Sequence, residues 1–151
     1  MKNNTPKLRF QEFTDEWQEK KLGDIYSQIR NGFVGIATPF YVPVGHKYVQ
    51  GKDIKDGKIN DTVDVFVSDE FYHKNKKSIL RENDIVMVQS GHVGECSVVK
   101  GNIVDANCHA IIIMTTSLEL PSEFYKFYFY SPLGRRKVLS TKTGNTVEHI
   151  L

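Results

Sequence analysis

Residues 83–99, NDIVMVQSGHVGECSVV, place a polar, glycine-bearing loop between two apolar runs. Four apolar residues in a row, Ile85 to Val88, indicate a strand that is buried on both faces and lies inside a sheet. The second run, Cys96 to Val99, is typical of a neighbouring strand. The loop between the runs, Gln89 to Gly94, is therefore predicted to project from a rigid scaffold, where it can contact a ligand.

The length and composition of the chain indicate one domain. The chain has 151 residues, of which 40% are hydrophobic, and this is enough for a single core. We expect one domain over residues 1–151, with residues 1–22 as an amino-terminal lead that packs on it. The sequence has no apolar run of the roughly eighteen residues that a membrane span needs, and its start, MKNNTPKLRF, lacks the apolar core of a secretory signal. The expected location is the cytoplasm, with no membrane association.

Local patterns near the amino end predict one helix and one long loop. The first predicted helix covers residues 22–29, where apolar residues recur at helical spacing, and it ends at Asn31 and Gly32. Residues 33–46 contain several glycine and proline breaks and predict an irregular loop.

Later elements have clearer turn and cap signals. The Asp-Gly pair at 56–57 predicts a tight hairpin. Ser68 is placed to cap a helix, residues 122–130 form another helix, and Ser131 caps a third, with Pro132 in its first position. Strands and helices mix without regular alternation, which predicts an α+β (mixed α/β) fold: a twisted, largely antiparallel β-sheet flanked by short helices.

Signatures of cofactor and catalytic chemistry are missing from the sequence. It has no glycine-rich phosphate loop with its lysine and no dinucleotide fingerprint, so ATP binding is not expected. Ser90 lies in VQSGH, which lacks the first glycine of a Gly-x-Ser-x-Gly nucleophile elbow. Asp84 and Glu95 flank the loop, but paired acids around a glycine turn are more often turn formers than a metal-bound nuclease centre. We therefore expect no catalytic residue.

A zinc site can be assembled from His92, Cys96, Cys108 and His109 only if the strands that carry them pair. Structural zinc sites favour close pairs such as Cys-x-x-Cys, and adjacent residues of a strand point to opposite faces. The alternative is that the cysteines are buried thiols and the histidines polar loop residues. Two cysteines do not make a disulfide framework, so we expect reduced thiols and no metal.

Two loops carry side chains suited to reading the base edges of DNA. The base-contact candidates are Gln89, Ser90 and His92 on the first loop, and Thr143, Asn145 and Thr146 on the second. Amides pair with adenine, whereas lysine and arginine bind guanine or phosphates. The phosphate-contact candidates come from the basic stretches HKNKK, GRRK and TKTG and are Lys76, Lys77, Arg135, Arg136 and Lys142. Glycines on the loops, which would let the backbone approach a ligand, are Gly91, Gly94 and Gly144.

Each of these features also has a structural explanation. The formal net charge is only +2, so each basic cluster can be a solvated surface, and each glycine can be a turn former. The aromatic segment SEFYKFYFY, residues 122–130, could be a base-stacking platform for single strands. Its aromatics follow one another directly, however, so most are expected to pack in the core. The combination of polar loops and neighbouring basic clusters favours duplex DNA.

Five stretches together resemble a known family. They are PKLRF (6–10), EWQEKKLGDI (16–25), YVQGKDIKDGKI (48–59), LRENDIVMVQSGHVGECSVV (80–99) and STKTGNTVEHI (140–150). The chain resembles the specificity (S) subunit of Type I restriction-modification systems, in particular one target recognition domain with its amino-terminal lead. One departure is Glu82, Asn83 and Asp84, where such domains usually have glycine before the aspartate. Asparagine also tolerates the left-handed conformation, so the turn is expected to survive.

The resemblance implies a non-catalytic role within a larger enzyme complex. The domain would recognise one half of a bipartite site in double-stranded DNA and direct the methylation (M) and restriction (R) subunits to it. S-adenosylmethionine, ATP and Mg would belong to those partner subunits, so no cofactor is expected in this chain. Family members continue into a spacer helix and a second recognition domain, which are not expected here, and self-association is compatible with a half subunit. The alternative is a non-catalytic interaction module that binds partner subunits without reading DNA.

Overall fold

The computed structural model describes residues 9, 11–12, 14–116, 121–143 and 149–150, and only the backbone of residues 142–143 and 149–150. In this part of the chain the α-helices are Leu22–Ile25 (α1), Asp69–Lys74 (α2), Ser122–Tyr130 (α3) and Pro132–Leu139 (α4). The strands are Gln28–Asn31 (β1), Tyr41–Val49 (β2), Ile54–Lys55 (β3), Lys58–Ile59 (β4), Phe66–Val67 (β5), Ile85–Val88 (β6), Cys96–Val98 (β7), Asn107–Cys108 (β8), Ile111–Thr115 (β9), Lys142–Thr143 (β10) and His149–Ile150 (β11). Short 3-10 turns lie at Thr38–Phe40, Gly51–Asp53, Lys76–Ser78 and Gly101–Ile103.

A four-stranded antiparallel sheet forms the centre of the fold. Its strand order is β1-β9-β6-β7, so β6 pairs with β9 on one side and with β7 on the other. All four residues of β6 are buried. The interior position predicted for this strand from its apolar run is therefore confirmed.

The two faces of this sheet belong to different hydrophobic clusters. Val86 and Val88 pack in one cluster together with Ile113 of β9. Ile85 and Met87 pack in another, which also contains residues of α3 and α4. Alternation along β6 follows from the two-residue period of a strand, and it explains why β6 is apolar at every position.

A smaller sheet extends the domain. It has the order β5-β2-β8, with β2 antiparallel to β5 and parallel to β8. Tyr48, Val67 and Phe71 are buried in a third cluster beneath it. The predicted α+β fold, with largely antiparallel sheet and short flanking helices, is confirmed. No helix in the described ranges combines the length and apolar character needed to cross a membrane.

The prediction for the first helix is wrong. The helix predicted over residues 22–29 ends at Ile25, and its last apolar residue lies in β1, paired with β9. Asn31 is the last residue of β1 and not a helix stop. At Gly32 an added Cβ would lie 2.6 Å from the Cys108 sulfur atom. Glycine is needed there because the chain packs closely, and a left-handed turn plays no part.

The predicted loop over residues 33–46 is also wrong in its second half. Strand β2 begins at Tyr41 and includes Pro43 and Gly45. Its pairing with β5 shifts register between Tyr41 and His46, so the proline and the glycine lie in an irregular part of the ladder. Proline is tolerated in such a bulge because no ladder hydrogen bond is required from it.

Several local predictions are confirmed. The Asp-Gly pair at 56–57 forms the turn between β3 and β4 with φ of 50° and 76°. Asn83 has φ of 65°, so asparagine does adopt the left-handed turn expected before Asp84. The hydroxyls of Ser68 and Ser131 accept hydrogen bonds from first-turn amides of α2 and α4, at 3.3 and 3.1 Å.

A buried polar cluster fixes the start of β6. The Asp84 side chain is only 1% exposed; Arg30 Nη2 lies 3.4 Å from it, and the Thr115 hydroxyl donates to it at 2.6 Å. The amide of Arg81 also donates to this carboxylate, at 3.0 Å. Arg30 Nε donates to the carbonyl of Lys77 at 2.9 Å, which ties the turn at residues 76–78 to the same end of the sheet.

Candidate nucleic-acid interface

The loop between β6 and β7 is anchored at its base. The Gly94 amide donates to the Val88 carbonyl at 3.0 Å, and the Glu95 amide donates to the His92 carbonyl at 3.2 Å. Val93 is only 6% exposed, because its side chain packs against the cluster formed with α3 and α4. The base of the loop is thus fixed by hydrogen bonds and by one buried apolar side chain.

The front of the loop carries the side chains predicted to read bases. Gly91 and His92 are exposed, and Gln89 and Ser90 are partly exposed. Gly91 has φ of 80°, and apart from its chain neighbours no heavy atom lies within 4 Å of an ideal Cβ there. Glycine is therefore favoured by the backbone conformation, while the space in front of it is open to a ligand.

Glu95 connects this loop to three other elements. Its Oε2 accepts from the Asp56 amide, at the tip of the β3–β4 hairpin, at 2.8 Å. The same oxygen accepts from the Tyr130 hydroxyl at 2.9 Å, and Oε1 lies 3.8 Å from Arg135 Nη1 in α4. From the sequence Glu95 was expected to be a turn former, and this role was missed. No local pattern could have revealed it, because all three partners are distant in sequence.

Tyr130, the last residue of α3, completes the same network. Its hydroxyl accepts from the amides of Gly57 at 2.9 Å and Cys96 at 3.2 Å, besides donating to Glu95. Burial raises the pKa of Tyr130 to about 12, so the hydroxyl keeps its proton at neutral pH. The edge strand β7, the hairpin tip and the loop are therefore held by one side chain.

Helix α4 lies directly behind the loop. An added Cβ on Gly94, which has φ of 87°, would lie 3.5 Å from Val138 of this helix. The structure brings the phosphate candidate Arg135 to the base of the first loop, where it lies beside Glu95. Arg136 is the next residue of α4 and is exposed. The chain then enters β10, where the side chains of Lys142 and Thr143 are not described, and Gly144, Asn145 and Thr146 lie outside the described residues. Their predicted DNA contacts stay predictions.

The other two phosphate candidates lie elsewhere. Lys76 and Lys77 are exposed in the 3-10 turn that Arg30 ties to the start of β6. The loop at residues 89–94 follows the opposite end of that strand. Four residues of strand separate the two ends by roughly 10 Å, so the structure does not place these lysines beside α4.

The cysteines and histidines do not form a common site. Cys96 and Cys108 are buried in separate clusters on opposite faces of the sheet. Burial raises the pKa of the Cys96 thiol to about 12, and that of Cys108 further still. His92 is exposed on the loop, whereas His109 Nδ1 lies 2.9 Å from the Tyr48 hydroxyl. In the ranges that the structure describes, no three metal-ligating side chains come together.

An apolar groove opens along α3. It is bordered by Trp17, Ile29, Phe124, Phe127 and Leu133, each between 45% and 66% exposed. Trp17, in the amino-terminal lead, stacks on Phe124 with the ring centroids 6.3 Å apart. The aromatic helix therefore buries one side in the core, as expected, but leaves Phe124 and Phe127 on the surface.

Comparison with known proteins gives one consistent relationship. No protein-family model and no curated protein matches the sequence. The S subunit of the Type-I restriction-modification system from M. genitalium matches with a TM-score of 0.62 and 16% identity, over 97% of this chain and 34% of that one. A chain from a structure of the type I R-M system, solved to explain its complex assembly and conformational transition, matches with a TM-score of 0.59 and 17% identity, over 78% of this chain and 27% of that one. This chain thus spans about a third or less of the chains it matches.

The central sheet, the flanking helices and the anchored loop define an α+β fold of the target-recognition type. More specifically, the fold is that of a domain in S subunits of Type I restriction-modification systems. The resemblance seen in the sequence is confirmed at the level of the fold.

Proposed function

We propose that this chain is a DNA-recognition domain of a Type I specificity subunit and reads one half of a bipartite double-stranded site. The proposal is carried by the position of the loop at residues 89–94. The loop extends from a buried strand, displays polar side chains, and is held by Glu95 beside Arg135 of α4. Base-reading groups and phosphate-binding cations are thus neighbours, as recognition of a duplex requires.

Each group on this surface has a defined task in the proposal. Gln89 offers an amide that can pair with both N6 and N7 of adenine, and Ser90 and His92 add a hydroxyl and an imidazole. Arg136, which is exposed, binds a phosphate and sets the register of the domain on the duplex. The second loop adds Lys142 on a phosphate, with Thr143, Asn145 and Thr146 as further base contacts.

The chain itself is non-catalytic in this proposal. Methylation and cleavage belong to partner M and R subunits, which would hold S-adenosylmethionine, ATP and Mg and be directed to DNA by this domain. The similarity of fold to Type I restriction-modification components supports a place in such a complex. The role implies a cytoplasmic location.

Selection of duplexes from a random pool tests DNA reading directly. We expect an enriched motif of about three to five positions, because one loop pair reaches few base pairs. Gln89→Ala should relax the preference at one position and leave the salt dependence unchanged. Lys142→Ala should weaken binding to all sequences and lower the slope of log K against log salt by about one.

The matched control for the first variant is Gln28→Ala, an exposed amide in β1 near the opposite end of the sheet. It should change neither the motif nor the affinity. A pool that stays flat contradicts DNA reading, and an unchanged motif in Gln89→Ala contradicts the assignment of this loop.

The apolar groove supports a second candidate function, an interaction module that binds partner subunits without reading DNA. Exposed contiguous apolar surface of this kind is typical of protein interfaces. Gel filtration of the chain with a methylation subunit, with and without target DNA, separates the two functions. Complex formation that needs no DNA and is lost in Phe127→Ser favours the interaction module, provided that the duplex selection gives no motif.

A further inference from the structure

A second basic surface, here called the lysine cleft, lies between the β3–β4 hairpin, β7 and the start of α3. Five lysines line it, together with three acids. The lysines are Lys52, Lys55, Lys58, Lys100 and Lys126, and the acids are Asp53, Asp61 and Glu123. Because these lysines are scattered over several elements, no basic run in the sequence marks them.

Two of the three acids of the cleft are already engaged, whereas the Asp61 side chain is exposed and forms no ion pair with a described residue. The Asp53 carboxylate is nearly buried and accepts from the Gln50 amide at 2.8 Å. Glu123 is shared by Lys100, at 2.7 Å, and Lys126, and hydrogen bonds from these two lysines lower its pKa. The Glu123 carboxylate is thus ionised and paired with two lysines at physiological pH, so it does not neutralise the other lysines of the cleft.

Lys55 and Lys58 have no ion pair among the described residues and are exposed. They are directly opposite each other across the hairpin, next to the turn. Like charges in this position repel and destabilise a hairpin, so the sequence keeps an unfavourable pair here. A bound polyanion would offset this repulsion, because each ammonium group would then face a negative charge.

The structure holds these two lysines in place from behind. The tip of the hairpin is fixed by the hydrogen bonds of the Asp56 amide to Glu95 and of the Gly57 amide to Tyr130. In addition, the Ser97 hydroxyl of β7 donates to the Gly57 carbonyl at 3.0 Å. The charges are therefore displayed on a rigid element, which lowers the entropy cost of binding.

Glu95, at the base of the loop at residues 89–94, links this loop to the hairpin of the lysine cleft. Glu95 contacts both the hairpin tip and Arg135 of α4, so the two basic surfaces meet at this residue. A DNA strand presents a phosphate about every 3.4 Å along the helix axis, which is the kind of ligand that an extended row of cations can follow.

We propose that the lysine cleft binds the phosphodiester backbone of the duplex next to the bases read by loop 89–94, with Lys55 and Lys58 as its main contacts. This proposal rests on the DNA-reading function and names the surface that adds affinity independently of sequence. It predicts that affinity rises when the duplex extends beyond the recognised bases on the side of the hairpin.

The test is the double variant Lys55→Gln/Lys58→Gln, measured on the selected duplex over a range of salt concentrations. Two lost phosphate contacts should lower the salt slope by about two. The preference among sequences should not change, and the gain in affinity from flanking base pairs should disappear. Lys55→Arg/Lys58→Arg should retain the wild-type slope, because the charges are kept. The matched control is Lys20→Gln/Lys21→Gln, an adjacent exposed pair in the amino-terminal lead, which should also retain it.

The outcomes separate this proposal from the DNA-reading function. If the wild-type chain selects a motif and the double glutamine variant keeps its salt slope, the lysine cleft is not a DNA contact and the function stands. If the wild-type chain binds no duplex, both proposals fail. Thermal melting checks folding, and removal of a repulsive pair should leave the melting temperature equal or higher. Should the double variant unfold, single Lys58→Gln must lower the slope by about one, or the proposal is wrong.

Discussion

Replacement of Tyr130 by phenylalanine removes a single oxygen atom from the network around Glu95. The ring and its packing are retained, so the variant isolates the hydroxyl. Lost with it are one hydrogen bond to a carboxylate and two from backbone amides, those of Gly57 and Cys96. In the part of the chain that the structure describes, no other acceptor is assigned to those two amides.

The expected cost follows from these three bonds. A neutral hydrogen bond contributes about 1 kcal/mol net, and one to a charged group about 1.5 kcal/mol or more. Water can reach this half-buried site and replace part of the loss. We expect a decrease of about 3 kcal/mol in the free energy of unfolding, which for a chain of this length lowers the melting temperature by roughly 6–12 °C.

Urea unfolding and thermal melting measure this cost, and Tyr128→Phe is the matched control. That residue lies in the same helix, and its hydroxyl makes no hydrogen bond to a described residue, so its loss should change stability little. Tyr130→Phe should also blur the preference for bases, because the loop loses a support. The salt slope should be retained, because no charge changes.

Two results would refute this reasoning. A Tyr130→Phe variant that melts within about 1 °C of the wild type would show that the hydroxyl does not stabilise the fold. A variant that is destabilised but keeps the full ranking of sequences would show that the network supports the core and not the loop.

Three further perturbations test other parts of the structure. In Gly134→Ala the added Cβ would overlap a backbone carbonyl of α3, so we expect the free energy of unfolding in urea to fall by about 3 kcal/mol or more. The control is Gly23→Ala, which should be neutral or stabilising because no heavy atom beyond its own helix and chain neighbours lies within 4 Å of the added Cβ. Equal effects of the two variants would contradict the contact between α3 and α4. Asp84→Asn removes a buried charge that faces the partly buried Arg30 and should cost about 3 kcal/mol. A loss below about 1 kcal/mol would mean that the pair is not needed. Burial lowers the pKa of His109 in the folded protein. As the pH falls below about 6.5, His109 is therefore protonated more readily in the unfolded chain than in the folded protein. Stability should therefore decrease from pH 7.5 to pH 5, and the decrease should be smaller in His109→Gln; an unchanged slope in that variant would assign the effect to other groups.

The elements that the sequence predicted correctly are those specified by neighbouring residues. A run of four apolar residues identified β6, an Asp-Gly pair identified the β3–β4 hairpin, and Ser131 with Pro132 identified the start of α4. In each case the physical cause acts within a few residues, through burial on both faces, a positive φ or an unpaired amide. Such causes can be read without knowledge of the rest of the chain.

The errors have a common cause in long-range pairing. Leu22, Ile25 and Ile29 fit one face of a helix, but residues 28–31 are needed as the partner of β9, whose edge would otherwise be open. In the same way β2 continues through Pro43, because it pairs with both β5 and β8. Hydrogen bonding to a distant strand outweighs local propensity, and a single sequence does not show which distant strand will be there.

The candidate site shows the same contrast between features specified by neighbouring residues and features that depend on distant partners. Gln89, Ser90 and His92 could be predicted as base contacts from the sequence because their chemistry is visible in their side chains, but the support of the loop could not be predicted. Glu95 and Tyr130 act through partners that only the fold brings together. The lysine cleft was missed for the same reason, since a basic surface can be assembled from separate lysines without any basic run.

The front and the base of this loop have different roles in the structure, so the side chains at the front can change without changing the scaffold. Residues 89–92 project forward, and Gly91 has open space around it, whereas Val93 is buried and Glu95 is bonded to three elements. Substitutions at Gln89, Ser90 or His92 therefore change the side chains at the front of the loop without removing a described support. Substitutions at residues 93–95 remove a support without changing those side chains. If the proposed DNA reading holds, such a surface can acquire a new target through the front of the loop while the proposed phosphate contacts keep their affinity.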